Sequence, residues 1–315
     1  MRWIAKAGIQ AVLARIWGGE RINHRLQRAF GVIGSAGSLA KRVQYGVSFW
    51  KRNGDLLAPE GKHVLEIGTG WDAIHTVLLS ALGAGKITTF DHLPHIRLEL
   101  VLDVARAWRT RAGDLAGISG QPAERIESRL DSILCRKDLQ SLFESMNATY
   151  IAPGDICATG LPDRSLDMVY GYAVLAHLPK PVLGAFCREC ARVLVPGGLS
   201  IQRIGLEDPF NDWKDGDVVD FLRHSPLMWR FIGEHSILFH NRLRAVEFRQ
   251  AFEAHGGRTI RSTETLLAKS LARVKTMKIA APFRRFTPEQ LAVSELDLIS
   301  RFGSPSSDHF ETVRS

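Results

Sequence analysis

Apolar residues near the amino terminus recur at helical spacing (Ile9, Val12, Leu13, Ile16, Trp17), while Arg2, Lys6 and Gln10 keep the opposite phase. That pattern predicts a basic amphipathic helix. Gly31 to Gly37, rich in Gly and Ser, reads as a hinge. From about residue 62 short apolar runs alternate with helical stretches. Lys62 to Ile67 is a β-prone run ending in Gly68-Thr69-Gly70, and a helix over Ala73 to Leu82 stops at Gly83 and Gly85. Ile87 to Phe90 is a second strand ending at Asp91, followed by a helix from about Ile96 to Trp108. A polar helical region then runs to Met146, longer than a crossover needs, and is read as an insertion. Tyr150 to Ala152 leads to Asp155, and Leu166 to Tyr170 is a buried strand. Val182 to Leu194 is helical, and Pro196-Gly197-Gly198 turns into a strand over Leu199 to Ile204. Strands alternating with helices predict an α/β, doubly wound, mostly parallel sheet.

Composition narrows the class. The 315 residues are 45% hydrophobic and 23% charged, a globular balance with ample material for a large core. The longest stretches without a formal charge, Ala73 to Gly85 and Met168 to Pro179, fall short of the roughly 20 apolar residues of a membrane span. Arg2, Lys6 and Arg15 interrupt the apolar core that a secretory signal would need. Four cysteines (Cys135, Cys157, Cys187, Cys190) are too few for a disulfide framework, so a cytoplasmic protein with reduced thiols is expected. Cys187 and Cys190 share one helix face without a second pair at metal-binding spacing, so they read as packing thiols and no metal is assigned.

The net charge of +8 is concentrated at the amino end, where residues 1–52 hold ten basic side chains against Glu20 alone. Any attraction to a membrane surface or a nucleic acid is expected there. The expected organisation is a basic helical segment over 1–50, a main domain over 51–300 with insertions at about 109–148 and 207–240, and a tail over 301–315.

In doubly wound sheets ligands bind at the carboxyl ends of the strands, which directs attention to the first turn, Val64 to Ala73. Gly68 and Gly70 permit a tight turn and let a ligand lie on bare backbone. Asp91, ending the second strand, is placed to accept both ribose hydroxyls of a nucleoside over that turn. An adenosine cofactor is therefore expected. Gly68-x-Gly70-x-x-Ala73 also satisfies the loose dinucleotide pattern, leaving NAD(P)-dependent redox chemistry as an alternative. Glu66, two residues before the first glycine, would repel a pyrophosphate and suit an ammonium, which favours a sulfonium cofactor.

These segments resemble the class I S-adenosylmethionine-dependent methyltransferases, in particular the small-molecule branch called methyltransferase type 11. The resemblance runs from about Tyr45 to Gly257. Val64 to Ala73 matches the family's first motif, with Trp71-Asp72 where Thr-Gly is common. Asp91 matches the ribose-binding acid and His92 the neighbour that packs on adenine. Gly154-Asp155-Ile156 resembles the adenine-contacting segment, and Asp167 to Tyr170 the fourth strand. Val174 to Leu178 and Ala191 to Gly198 resemble the stretches that follow. The resemblance implies a Rossmann-like seven-stranded sheet whose last pair is antiparallel, completed by Thr259 to Thr265 and a strand near Arg284 to Phe286. It implies S-adenosylmethionine as cofactor, with Glu66, Gly68, Thr69, Gly70, Asp91, His92, Asp155, Ile156 and Tyr170 around it. His240 to Arg244 with Phe248 to Gly257 is similar to methyltransferases of sugar and cell-surface polymer synthesis.

Transfer from a sulfonium needs mainly alignment of the acceptor, and a hydroxyl acceptor also benefits from a base. His177, after the fourth strand, is the first catalytic candidate, with Asp208 after the fifth as the second; His235 and His240 are further alternatives. Phe210, Trp213, Phe221, Trp229, Phe231 and Phe239 are read as walls of an acceptor pocket, a lid or ordinary packing. Tyr170-Gly171-Tyr172-Ala173 stands where base and amide methylases carry Asn-Pro-Pro-aromatic, which favours oxygen as the target. The expected acceptor is a small molecule or glycan. An RNA acceptor held by the basic arm and an inactive cofactor-binding scaffold are the alternatives, and the amino-terminal helix is the expected site of any peripheral membrane contact.

Overall fold

The computed structural model describes residues 36–210, 219–235, 238–303 and 312–314. The expected amphipathic helix and Trp213 lie outside the described residues. The first described element is helix α1 (Ala36–Asn53). A sheet then begins with β1 (His63–Ile67), α2 (Ile74–Ala81) and β2 (Lys86–Phe90). Four helices separate β2 from β3 (Ala148–Ile151): α3 (Leu98–Arg109), α4 (Ala112–Ser119), α5 (Ala123–Leu134) and α6 (Leu139–Ser145). Next come β4 (Leu166–Tyr172), α7 (Lys180–Val193) and β5 (Leu194–Gly205). After β5 stand α8 (Pro226–Ile232) and a small hairpin, β6 (Glu234–His235) with β7 (Leu238–Phe239). The chain returns through α9 (Ala245–Glu253), β8 (Gly257–Leu266), α10 (Ala268–Thr276), α11 (Pro288–Ala292), β9 (Val293–Phe302) and β10 (Thr312–Arg314).

Seven strands form the doubly wound sheet in the order β8-β9-β5-β4-β1-β2-β3, and β10 adds an eighth at the β8 edge. β1 to β5 are parallel, and β9 runs antiparallel to both β5 and β8. The seven-stranded Rossmann-like expectation holds. Two details differ. The last strand of the seven is Val293–Phe302, not 284–286, because Ala281–Phe283 forms a 3-10 turn that buries Phe283 in a separate cluster. The expected tail begins inside a strand, since β9 reaches Phe302 and residues 312–314 pair with β8.

The sheet is covered on both faces because its strands alternate two apolar sets. Val64, Met168, Tyr170, Ile201 and Ile299 pack on α1 through α6, while Leu65, Ile67, Val169, Ile204 and Leu298 pack on α7 and α9. Helix α2 carries no charge and all eight of its residues are buried. Helix α3 is amphipathic, turning Val101, Val104, Ala105 and Trp108 inward. The expected boundary at residue 50 falls inside α1, which is built into the body, for Phe49 and Trp50 are in the core and Arg52 pairs with Asp297 at 2.9 Å. A third cluster under the second insertion gathers Phe210, Phe221, Trp229, Val274, Phe283 and Leu291. Most of the insertion's aromatics are thus packing groups, and Phe231 alone among those described is largely exposed.

Trp108 links three helices. It is fully buried, its Nε1 donates to the Ile74 carbonyl at 2.9 Å, and it lies so close to Gly46 that a Cβ there would stand 2.8 Å from the ring. Trp108→Ala should lower the unfolding free energy by about 3–5 kcal/mol in urea denaturation, the range for truncating a buried tryptophan.

Candidate functional site

The turn after β1 is held by the end of β2. The Phe90 carbonyl accepts the N–H groups of Gly68 (2.8 Å) and Thr69 (3.2 Å), and Asp91 Oδ2 accepts the Gly70 N–H at 2.8 Å. Gly68 and Gly70 have φ of 77° and 69°, in the left-handed region that glycine tolerates. A side chain on Gly68 would collide with Val174, whereas nothing lies within 4 Å of where a Cβ on Gly70 would point. The turn is closed toward the sheet and open above Gly70.

Asp91 has its second oxygen bonded to the Leu93 N–H (3.2 Å) and lies 3.0 Å from His92 Nδ1. Burial raises its pKa, but the hydrogen bonds from His92, Gly70 and Leu93 outweigh it and hold the carboxyl below its ordinary value. His92 is largely exposed beside it. Across the edge Gly154 N–H donates to the Asp91 carbonyl at 2.8 Å, which brings the exposed Asp155 and the half-buried Ile156 to the same rim. Asp155 Oδ1 accepts the Cys157 N–H at 2.8 Å, closing a turn.

Glu66, Thr69 and Tyr170, three of the expected contacts, are buried in this structure. Glu66 is buried beneath the turn rather than presented on it, and accepts the Thr76 hydroxyl and that of Thr89 at 3.0 Å. The Thr69 and Thr89 hydroxyls are 2.5 Å apart, so Thr69 belongs to the same support. Burial pushes the Glu66 carboxyl up to about 7, against the two threonine bonds and with Asp91 and Asp72 adding to the rise. Tyr170 is a correction: the ring is wholly buried beside Phe49 and Trp50, with its hydroxyl 3.1 Å from His75 Nδ1, because Met168 and Tyr170 face the α1 layer. Trp71 stacks on His95 (4.1 Å, 16°), fastening the turn to the loop after β2, and Asp72 pairs with Arg42 of α1 at 2.5 Å.

His177 ends a 3-10 turn after β4, and its Nδ1 lies 2.7 Å from the Phe239 carbonyl. A carbonyl only accepts, so Nδ1 carries the proton and neutral Nε2 keeps its lone pair. The ring stands edge-on to His240, 6.0 Å away, and the same turn is bonded to Asn241. His177 thus clasps the second insertion to the sheet. Asp208 closes a local turn, Oδ1 accepting the Phe210 N–H at 2.8 Å. His240 is buried and held well below its ordinary pKa by burial and neighbouring cations.

Sequence reading passed over a row of polar groups where the carboxyl ends of β4 and β5 meet the start of β9. Tyr172 and Arg203 are register partners, the guanidinium standing 4.9 Å over the ring, and Arg203 bonds Glu295. Tyr172 also stacks on His75 at 4.3 Å. Burial, with Arg42 and Arg203 nearby, pushes His75 down to about 3, so it is neutral at physiological pH. Glu207 lies two residues past the end of β5, on the face of Arg203. The period-2 alternation through 203, 205 and 207 is the signal that would have found it.

Cys187 and Cys190 are buried with pKa values raised by burial, consistent with packing thiols. Among the described residues no group of three or more His, Cys, Asp or Glu could hold a metal ion, and no helix is long and apolar enough to cross a membrane.

Residues 130–201 match the family model of the methyltransferase domain. Solved structures similar to this chain include a putative methyltransferase from Haloferax volcanii in complex with the Trm112 methyltransferase activator, with 15% identity, TM-score 0.44, and 86% of this chain and 95% of that one covered. A putative sarcosine dimethylglycine methyltransferase from Galdieria sulphuraria has 14% identity, TM-score 0.44, and 84% and 87% coverage. A geranyl diphosphate methyltransferase in complex with SAM has 11% identity, TM-score 0.42, and 86% and 92% coverage. A comparison with curated proteins found no match.

Asp91→Ala should weaken S-adenosylmethionine binding roughly ten- to hundredfold by calorimetry, the loss expected for hydrogen bonds to a charged group. Glu66 makes the cofactor-free protein sensitive to pH. Its folded pKa, about 7, lies above the ordinary 4.5, so its contribution to stability is complete below 4.5 and is lost as pH rises through about 7. Glu66→Gln should make that fall shallower when urea midpoints at about pH 5 and about pH 8 are compared.

Proposed function

We propose that this chain, with the fold, glycine turn and domain match of a class I S-adenosylmethionine-dependent methyltransferase, methylates a hydroxyl oxygen of a small molecule, sugar or glycan. The methyl donor in this reading is S-adenosylmethionine. When bound it supplies a methyl group that is already electrophilic, so the protein's task is placement and proton removal.

The cradle fits that cofactor. Glu66, Asp72 and Asp91 surround the glycine turn, and together they oppose a pyrophosphate and favour a cationic ligand. This supports the sulfonium cofactor over a dinucleotide. Asp91 would hold the ribose hydroxyls, His92, Asp155 and Ile156 would border the adenine, and Gly70 would leave backbone bare beneath the ligand. Glu66, Thr69, Thr76 and Thr89 would keep the turn in shape from below.

The observation that carries the oxygen reading is the row at the carboxyl edge, where Tyr172, Arg203 and Glu295 form a connected polar wall beside the cradle. Such a wall can hold hydroxyls by hydrogen bonds and take part in proton movement. His177 is assigned to positioning the insertion, because its ring is engaged with Phe239 and His240. Three of the four basic residues of α1 are bonded internally, Arg42 to Asp72, Lys51 to Asp114 and Arg52 to Asp297, which disfavours this helix as a phosphate-binding arm.

Tritiated methyl groups from S-adenosylmethionine, offered with the full-length protein to a cell extract, should enter the small-molecule or polysaccharide fraction. Transfer should survive ribonuclease and change little with added salt. Label confined to RNA, with steep salt dependence, would replace this reading with the nucleic-acid one.

A further inference from the structure

Among the described residues, Glu207 is the member of the edge row whose carboxyl has no hydrogen-bond partner. Arg203 is bonded to Glu295 and stacked on Tyr172. Asp297, next along β9, takes Arg52 and Asn53. Arg244, which caps α9, is spent on the carbonyls of Leu206, Leu291 and Val293. Asp208 is folded back on Phe210. Glu207 is only partly accessible, and its carboxyl has no hydrogen bond or ion pair among the described residues. Its carboxyl interacts electrostatically with Arg203 and Glu295, and the alternation of β5 continued past Gly205 puts it on the sheet face of Glu66, Tyr170 and Tyr172, two strands from the cradle, which is roughly 10 Å at ordinary strand spacing.

We propose that Glu207 is the proton acceptor for the hydroxyl that is methylated. The reading rests on the methyltransferase assignment above and names the catalytic residue of that same site. In the step, the acceptor oxygen bonds to the methyl carbon and the carbon–sulfur bond breaks with its electron pair going to sulfur. The hydroxyl proton passes to the Glu207 carboxylate and then to water. Arg203 and Glu295 would fix the carboxyl's setting, and Tyr172 with neutral His75 would form the wall toward the cradle.

The electrostatics suit a base that becomes available only when the donor is present. Burial, and then Glu295, push Glu207 up to about 8, while Arg203 opposes the rise. Without ligand the group is therefore mostly protonated at neutral pH. A positive sulfonium nearby would stabilise the carboxylate and expel the proton. S-adenosylhomocysteine has the same shape but a neutral sulfur, and should not do so.

The test is calorimetric titration of the full-length protein at about pH 7.5 with S-adenosylmethionine and, separately, with S-adenosylhomocysteine, each in buffers of differing ionisation heat. The methyl donor should release roughly half a proton more than the thioether does, as expected for a group with a pKa near 8 that ionises on binding. Glu207→Gln should abolish the difference while both ligands still bind, and His177→Ala should leave it intact. An equal release for the two ligands, or a difference that persists in Glu207→Gln, overturns the proposal. Failure of either ligand to bind the wild-type protein would instead overturn the methyltransferase reading on which it rests. Glu66, which also lies near the sulfonium, is taken out of the comparison by repeating both titrations in the Glu66→Gln background, where the difference should persist and still require Glu207.

Discussion

The grip of β2 on the turn after β1 is the constraint on which the site depends. The Phe90 carbonyl takes two consecutive N–H groups and the Asp91 carboxylate takes a third, so three backbone donors are committed to the end of one neighbouring strand. Only glycine tolerates the resulting backbone at 68 and 70 without strain. The same carboxylate that shapes the turn is the one proposed to meet the ligand, which would give one side chain both structural and binding duties. Its charge is kept by the hydrogen bonds that hold it.

Around that grip the protein collects negative charge and buries part of it. Glu66 sits under the turn on threonine hydroxyls, Asp72 is held by Arg42, and Asp91 faces the opening. Burying carboxyls near one another raises the cost of keeping all of them ionised, and the elevated pKa of Glu66 is its signature. A cationic ligand relieves that cost. The cradle's charge state and the ligand proposed for it are thus two expressions of the same electrostatic arrangement.

The parts of this architecture visible in the chain are those written in local periodicity. β1, β2 and α2 fall within a residue or two of the expected bounds, because continuous apolar runs ending in glycine or aspartate leave few alternatives. The last strand of the main sheet was not visible. Phe283 and Phe286 resemble strand residues in sequence, but they are drawn into the cluster under the insertion, and Val293–Phe302 takes the place in the sheet. The site follows the same division. Gly68, Gly70 and Asp91 are legible because a turn demands them. The burial of Glu66 and Tyr170 depends on what α1 and α2 lay across that face, which no local pattern encodes. Glu207 was hidden in another way, since its partners come from β4 and β9, far off in the chain.

The antiparallel course of β9 has a consequence for assembly. Its starting end lies where the parallel strands finish, which is how Glu295 reaches Arg203 at the rim. On the ribosome, the glycine turn and Asp91 emerge early, whereas β9 emerges after nearly everything else and must slot between β5 and β8. A nascent chain can therefore hold the glycine-turn half of the sheet before the opposite wall exists, and the two sides of the rim form at different times during synthesis.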